Sequence, residues 1–242
     1  MTAGYLGLFQ LMEWATFDQF FRWRPREAID SRITIVTIDE SDIAHVGQWP
    51  IPDAVLAKLI ENLRQHNPKG IGLDLYRDLP VEPGHQVLVD VFKNTPNLIG
   101  VEKAVGNAVP PPPILKQSDR VGLADLVLDA DGKVRRGLIS VRTAEGQTKL
   151  GLGTTLALMY LEAEGITLKM LDPKQKHLGL GKAVFVPLKG NEGGYVRANT
   201  GGYQILLNYR GTLDNFHHVS MKDVLENRIP PNSLRDRIVF IG

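Results

Sequence analysis

Three carboxylates stand where a binding site could form. Asp39 and Glu40 close the run Ile33-Thr34-Ile35-Val36-Thr37-Ile38, and Asp74 closes Gly70-Ile71-Gly72-Leu73. One aromatic, Trp49, lies between them in Trp49-Pro50-Ile51-Pro52. Two carboxylates about 5 Å apart repel by roughly 3 kcal/mol at an effective dielectric of ~20. A shared site therefore needs an arginine or lysine, a raised pKa, a metal, or the cationic group of a ligand. The plainer alternative is that the acids cap helices or pair with surface bases, since strand-to-helix corners often use Asp in this way. The residue types alone leave both readings open.

The elements around these acids give the reason to group them. The β-branched run favours a strand, because branching at Cβ restricts χ1 against a helical turn. It is apolar on most positions, as in a sheet covered on both sides. The two prolines of Trp49-Pro50-Ile51-Pro52 make an irregular corner. Val55, Leu56, Leu59, Ile60 and Leu63 then form a helical stripe with Asp53 at its start, and Pro68 ends it. Strand, helix, strand predicts a βαβ unit with parallel strands and a right-handed crossover. The C-terminal ends of such strands form the edge where open α/β sheets bind ligands. Asp39, Glu40 and Asp74 are thus expected at one rim.

Composition narrows the function. The chain has 242 residues, 43% hydrophobic and 23% charged, which suits a folded core rather than disorder. A net charge of +1 offers no basic excess for phosphates, so no nucleic-acid partner is expected. There are no cysteines, which removes disulfides and thiol chemistry. No run of about 18 apolar residues is present. The chain lacks a GxSxG elbow, a Walker loop and an HExxH pair. A magnesium-dependent phosphohydrolase using the rim acids is the remaining enzymatic alternative. No catalytic residue, metal site or cofactor is assigned.

Before the first strand, residues 4–23 read as a long helix. Leu6, Phe9, Met12, Glu13, Thr16, Phe17 and Phe20 share helical spacing, with Trp14, Phe21 and Trp23 widening the stripe. It can pack on its own domain, form a dimer seam, or lie next to a membrane with Arg22, Arg24 and Arg26 at its end. Later, Val87, Leu88, Val91 and Phe92 predict a short helix, and Asn97 to Glu102 a strand. Pro110 to Pro113 reads as an extended polyproline spacer. Asp131-Gly132 predicts a β-hairpin between Val121–Ala124 and Val134–Val141. Arg135 and Arg136 alternate on its return strand, so one of them can turn inward as a counter-charge. Leu152 to Leu161 is a helix, 169–204 short strands and loops, and Ile205 to Tyr209 a strand. His217 and His218 point apart in a strand, against a shared metal. Ser220 caps a short helix, and Arg237 to Gly242 is a final core strand, as in a piece of a longer protein. The fold class expected is α/β: a mixed, largely parallel sheet with flanking helices, a long N-terminal helix and an inserted β-hairpin. Residues 1–26 form the helix and 27–242 the domain.

Six segments in this order resemble the CHASE family of the second type. They are Arg32-Ile33 through Asp39-Glu40, Gly47-Gln48-Trp49-Pro50-Ile51-Pro52, Gly70-Ile71-Gly72-Leu73-Asp74, Asp129 through Arg136, Leu207-Asn208-Tyr209-Arg210-Gly211, and Arg237 through Gly242. The match departs between Lys174 and Gly202 and at Leu75-Tyr76-Arg77-Asp78. The resemblance implies an extracytoplasmic sensor of a bacterial inner-membrane receptor that binds a small ligand and signals to a cyclase or kinase output domain. The candidate ligand site is Asp39, Glu40, Trp49 and Asp74, with Arg135 and Asn208 as further contacts. A homodimer through the N-terminal helix is the expected assembly. A purely structural dimerisation module is the alternative.

Overall fold

The chain divides into two compact units that interleave in sequence. The computed structural model describes residues 7–143 and 145–242. In chain order the main elements are α1 (Gln10–Trp23), β1 (Ile33–Thr37), α2 (Glu40–Val46), α3 (Asp53–Gln65), β2 (Gly70–Leu73), α4 (His85–Lys93) and β3 (Leu98–Glu102). Then come α5 (Pro113–Gln117), β4 (Val121–Leu123), β5 (Val127–Leu128), β6 (Val134–Arg142), β7 (Thr148–Leu150) and α6 (Leu152–Glu162). The last are β8 (Leu168–Asp172), β9 (His177–Leu180), β10 (Ala183–Phe185), β11 (Tyr203–Leu206), β12 (His217–Ser220), α7 (Met221–Leu225) and β13 (Ile238–Ile241).

The first unit comprises Ala28–Asp125, Gly151–Glu164 and Thr212–Gly242. Its sheet has the order β12-β1-β13-β2-β3-β4, and every pair is parallel. Side chains alternate along each strand, so two cores form. Val36, Ile71, Leu73, Val239 and Ile241 pack with Leu56, Leu59, Ile60 and Leu63 of α3 and with Leu88 of α4. Ile99, Val101 and Ile238 pack on the opposite side with Leu152 and Leu156 of α6. β2 is buried at every position, as this double covering requires, whereas β1 alternates buried and half-buried positions.

Glycine sets how closely α6 approaches. A Cβ at Gly72 would lie 2.6 Å from Leu156 Cδ1, and one at Gly122 would lie 2.6 Å from Leu152 Cα. The sheet is bare at these points, and the helix sits in the gap.

The second unit comprises the chain up to Glu27, with Leu126–Leu150 and Gly165–Gly211. It contains α1, the antiparallel group β11-β6-β5 with β7 on β6, and the antiparallel sheet β10-β9-β8.

The α/β class, the parallel sheet, the flanking helices and the hairpin are present. Three details differ. The hairpin at Gly132 joins β5 to β6, whereas Val121–Leu123 pairs in parallel with β3. Two residues suffice for the first arm, because the turn is held by Asp129 N donating to Lys133 O and Gly132 N to Asp129 O. Pro113 opens α5 at its first position, where a missing N–H costs nothing, so the proline run is not extended throughout. Leu207 to Tyr209 lie outside β11. The predicted start of the N-terminal helix, residues 4–6, falls outside the described residues.

Candidate functional site

The acids of the parallel sheet occupy its C-terminal edge, but not side by side. β1 and β2 are parallel in one sheet, and β13 lies between them. The strand ends leading to Asp39 and Asp74 are two strand spacings apart, about 10 Å rather than 5. Their mutual repulsion falls by about half. Asp39 is the N-cap of α2. Its carboxylate accepts from Ser41 Oγ at 2.7 Å and Asp42 N at 2.9 Å. These donors hold it below the usual carboxylate range, the Ser41 hydroxyl most of all. In return Asp39 N donates to the Asp42 carboxylate at 3.1 Å, closing a capping box in which Asp42 is the acceptor. Asp42 is itself fully buried, accepting from Lys222 N at 2.8 Å and Ser220 Oγ at 3.2 Å. Glu40 and Trp49 are exposed. The Asp74 side chain makes no hydrogen bond or ion pair among the described residues, and burial by the protein around it pushes its carboxyl up. Arg135 and Asn208 belong to the other unit.

In that unit a charge cluster ties α1 to the hairpin. The guanidinium of Arg135 is buried and makes five hydrogen bonds: Nε to Asp18 at 2.7 Å, Nη1 to Asp129 and Asp131 at 2.9 Å each, and Nη2 to Asp18 at 2.9 Å and Asp131 at 2.6 Å. Every donor it possesses is used. Arg136 donates to Asp129 at 2.8 Å and to Gln204 Oε1 and Asn199 O at 2.9 Å. Lys133 reaches Asp18 at 2.7 Å, and Tyr195 Oη donates to Asp129 at 3.0 Å. Three cations thus face three carboxylates, so the burial leaves no net charge. Arg135 beside Asp18 lowers that carboxyl to about 2. Burial, and next the Asp129 carboxylate, push the Tyr195 hydroxyl up.

Two aromatics extend the cluster. Arg135 lies 5.1 Å from the Trp14 ring and Arg136 lies 5.2 Å from the Tyr195 ring. The two rings are 5.4 Å apart and tilted by 51°. At the end of α1, Arg24 donates to Asn208 Oδ1 and Tyr209 O, and Arg210 pairs with Glu27. Asn208 is therefore an acceptor holding the helix terminus.

Against α1 the unit forms a half-open cavity of about 590 Å³. Glu13, Trp14 and Phe17 form its helical wall, and Val186, Leu188 and Ile205 are among the residues opposite. It is predominantly apolar and of the size that holds small molecules. A family model for the CHASE2 domain matches residues 1–242. The chain belongs to the CHASE2 family. CHASE2 domains are sensory, extracellular domains of signalling receptors rather than catalytic ones. No curated protein and no solved structure matches this CHASE2 domain. No described helix is long and apolar enough to cross a membrane.

The rotation of α1 in this CHASE2 domain differs from the stripe read by apolarity. Trp14 is buried, Phe17, Asp18 and Phe21 are partly so, and Phe9, Met12 and Phe20 are at least half exposed. Asp18 must face the buried Arg135, and it turns the helix so that the predicted stripe looks outward. Sequence reasoning missed Asp18, Asp42, Trp14 and Tyr195. Only Asp42 had a local signal: Asp39-x-x-Asp42 has the spacing of a capping box.

Proposed function

We propose that this CHASE2 domain is the ligand-binding input domain of a membrane-anchored bacterial receptor with a cyclase or kinase output. The ligand occupies the cavity beside α1, and α1 passes the change on. The observation that carries this reading is that one helix supplies both a wall of the cavity and the partner of a buried ion cluster. An occupant touching Glu13 or Phe17 acts on the element that Asp18 and Arg24 anchor. Sensing then means a shift between two settings of α1, limited by how differently the ligand binds each.

The acidic rim is the second reading, with Asp39, Glu40, Trp49 and Asp74 as ligand contacts. Asp74 favours it, being a carboxylate without a hydrogen-bond partner among the described residues, at the ligand-binding edge of a parallel sheet. One experiment separates the two. A panel of small metabolites is screened for a rise in melting temperature. The stabilisation is expected to vanish in Val186→Trp, which puts an indole into the cavity, and to persist in Asp74→Asn. Loss in Asp74→Asn with retention in Val186→Trp would move the site to the rim.

We also infer a homodimer through α1. Phe9, Met12, Thr16, Phe20 and Trp23 recur every three or four residues and are all exposed, the pattern of a seam that pairs with a second copy of itself.

A further inference from the structure

The polar groups around the cavity specify what it takes. This step rests on the cavity being the ligand site. Trp14 is 4% exposed, and its Nε1–H has no acceptor among the described residues. A buried donor left unpaired costs about 1–3 kcal/mol, so an oxygen placed there gains what the protein forgoes. The neighbouring Glu13 has a side chain with no hydrogen bond or ion pair among the described residues, and it lines the same cavity.

Gly194 brings these two groups to one point. A Cβ at Gly194 would lie 3.3 Å from Trp14 Cδ1, the atom bonded to Nε1, and 3.2 Å from Glu13 Oε2. The residue is glycine, so this corner stays open to the cavity that Gly194 also lines. A buried N–H and a solvent-exposed carboxylate thus share one corner. Most of the remaining wall, including Phe17, Val186, Leu188 and Ile205, is apolar. A ligand carboxylate would find no cation here, because Arg135 has given all five of its donors to aspartates. A second wall carboxylate, Glu192, adds to the negative field.

We propose that the cavity binds a primary amine with an adjacent neutral carbonyl and an apolar side chain, as in the amide of an apolar amino acid. The ammonium pairs with Glu13, the carbonyl oxygen accepts from Trp14 Nε1, and the side chain fills the space by Val186 and Leu188. No covalent step is involved.

Titration calorimetry with three probes tests this: phenylalaninamide, hydrocinnamamide (which lacks the ammonium) and hydrocinnamate (which lacks the ammonium and carries a carboxylate in place of the amide). Phenylalaninamide is expected to bind best, and removing the charge on either side, by hydrocinnamamide or by Glu13→Gln, to weaken binding about tenfold to a hundredfold. Val186→Trp is expected to abolish it while the variant keeps its circular dichroism. If hydrocinnamate or hydrocinnamamide binds as tightly, and Val186→Trp abolishes that binding, the amine assignment is overturned and the cavity reading survives. If phenylalaninamide binds Val186→Trp unchanged, both fall. If no probe binds the folded protein, the amine assignment falls and the metabolite panel still judges the cavity.

Discussion

At Arg135 the chain commits a whole guanidinium to three aspartates, one on a helix and two on a hairpin turn. Removing one of them exposes how much the contact contributes. Asp18→Asn leaves Arg135 with two carboxylates instead of three, and a loss of about 1–3 kcal/mol in unfolding free energy is expected from denaturant titration. The acid limb of the stability curve should change with it. The folded-state pKa of Asp18 lies below its unfolded value of 3.8, at about 2. Its contribution is therefore complete above about pH 4 and is lost as pH falls towards 2. In Asp18→Asn stability should fall less steeply over that interval, and equal slopes in both proteins would contradict the pairing. The sequence showed an arginine pair on a return strand, and Arg135 does point inward. Its partner was not legible, because Asp18 lies 117 positions away, a separation no local pattern spans.

Elements were more legible than their neighbours. The strands β1, β2, β3 and β13 and the helix α3 follow from β-branching, apolar runs and Pro68. What pairs with what did not follow. β13 inserts between β1 and β2 and separates acids that a simple βαβ reading sets side by side. The spacing of α6 from the sheet rests on glycines, and this can be measured. Gly122→Ala drives a methyl against helix backbone, whereas Gly72→Ala meets the end of a leucine side chain that can rotate. Gly122→Ala should cost about 2–3 kcal/mol and Gly72→Ala about 1, from chemical denaturation of each. The reverse order would mean that α6 yields as a body while the Leu156 side chain does not.

For the whole molecule, the family was legible because its six segments keep their order along the chain, and the CHASE2 match covers that same length. The cavity was not, because its walls come from α1, the stretch from Val184 to Tyr195, and β11, and only folding joins them. α1 has two faces with different roles. Its inner face holds Trp14, Phe17 and Asp18, and its outer face shows Phe9, Met12 and Phe20. If the outer face pairs copies, sedimentation should find the domain dimeric and the double variant Met12→Glu, Phe20→Glu monomeric, with its melting temperature nearly unchanged. A monomeric parent at high concentration would remove the seam.

The central claim is that filling the cavity changes α1. Hydrogen–deuterium exchange on Val186→Trp, whose added indole stands in for an occupant, tests it without a known ligand. The account predicts altered exchange across Gln10–Trp23, with Asp53–Gln65 as before. Identical exchange in α1, with the indole shown to lie in the cavity, would contradict it.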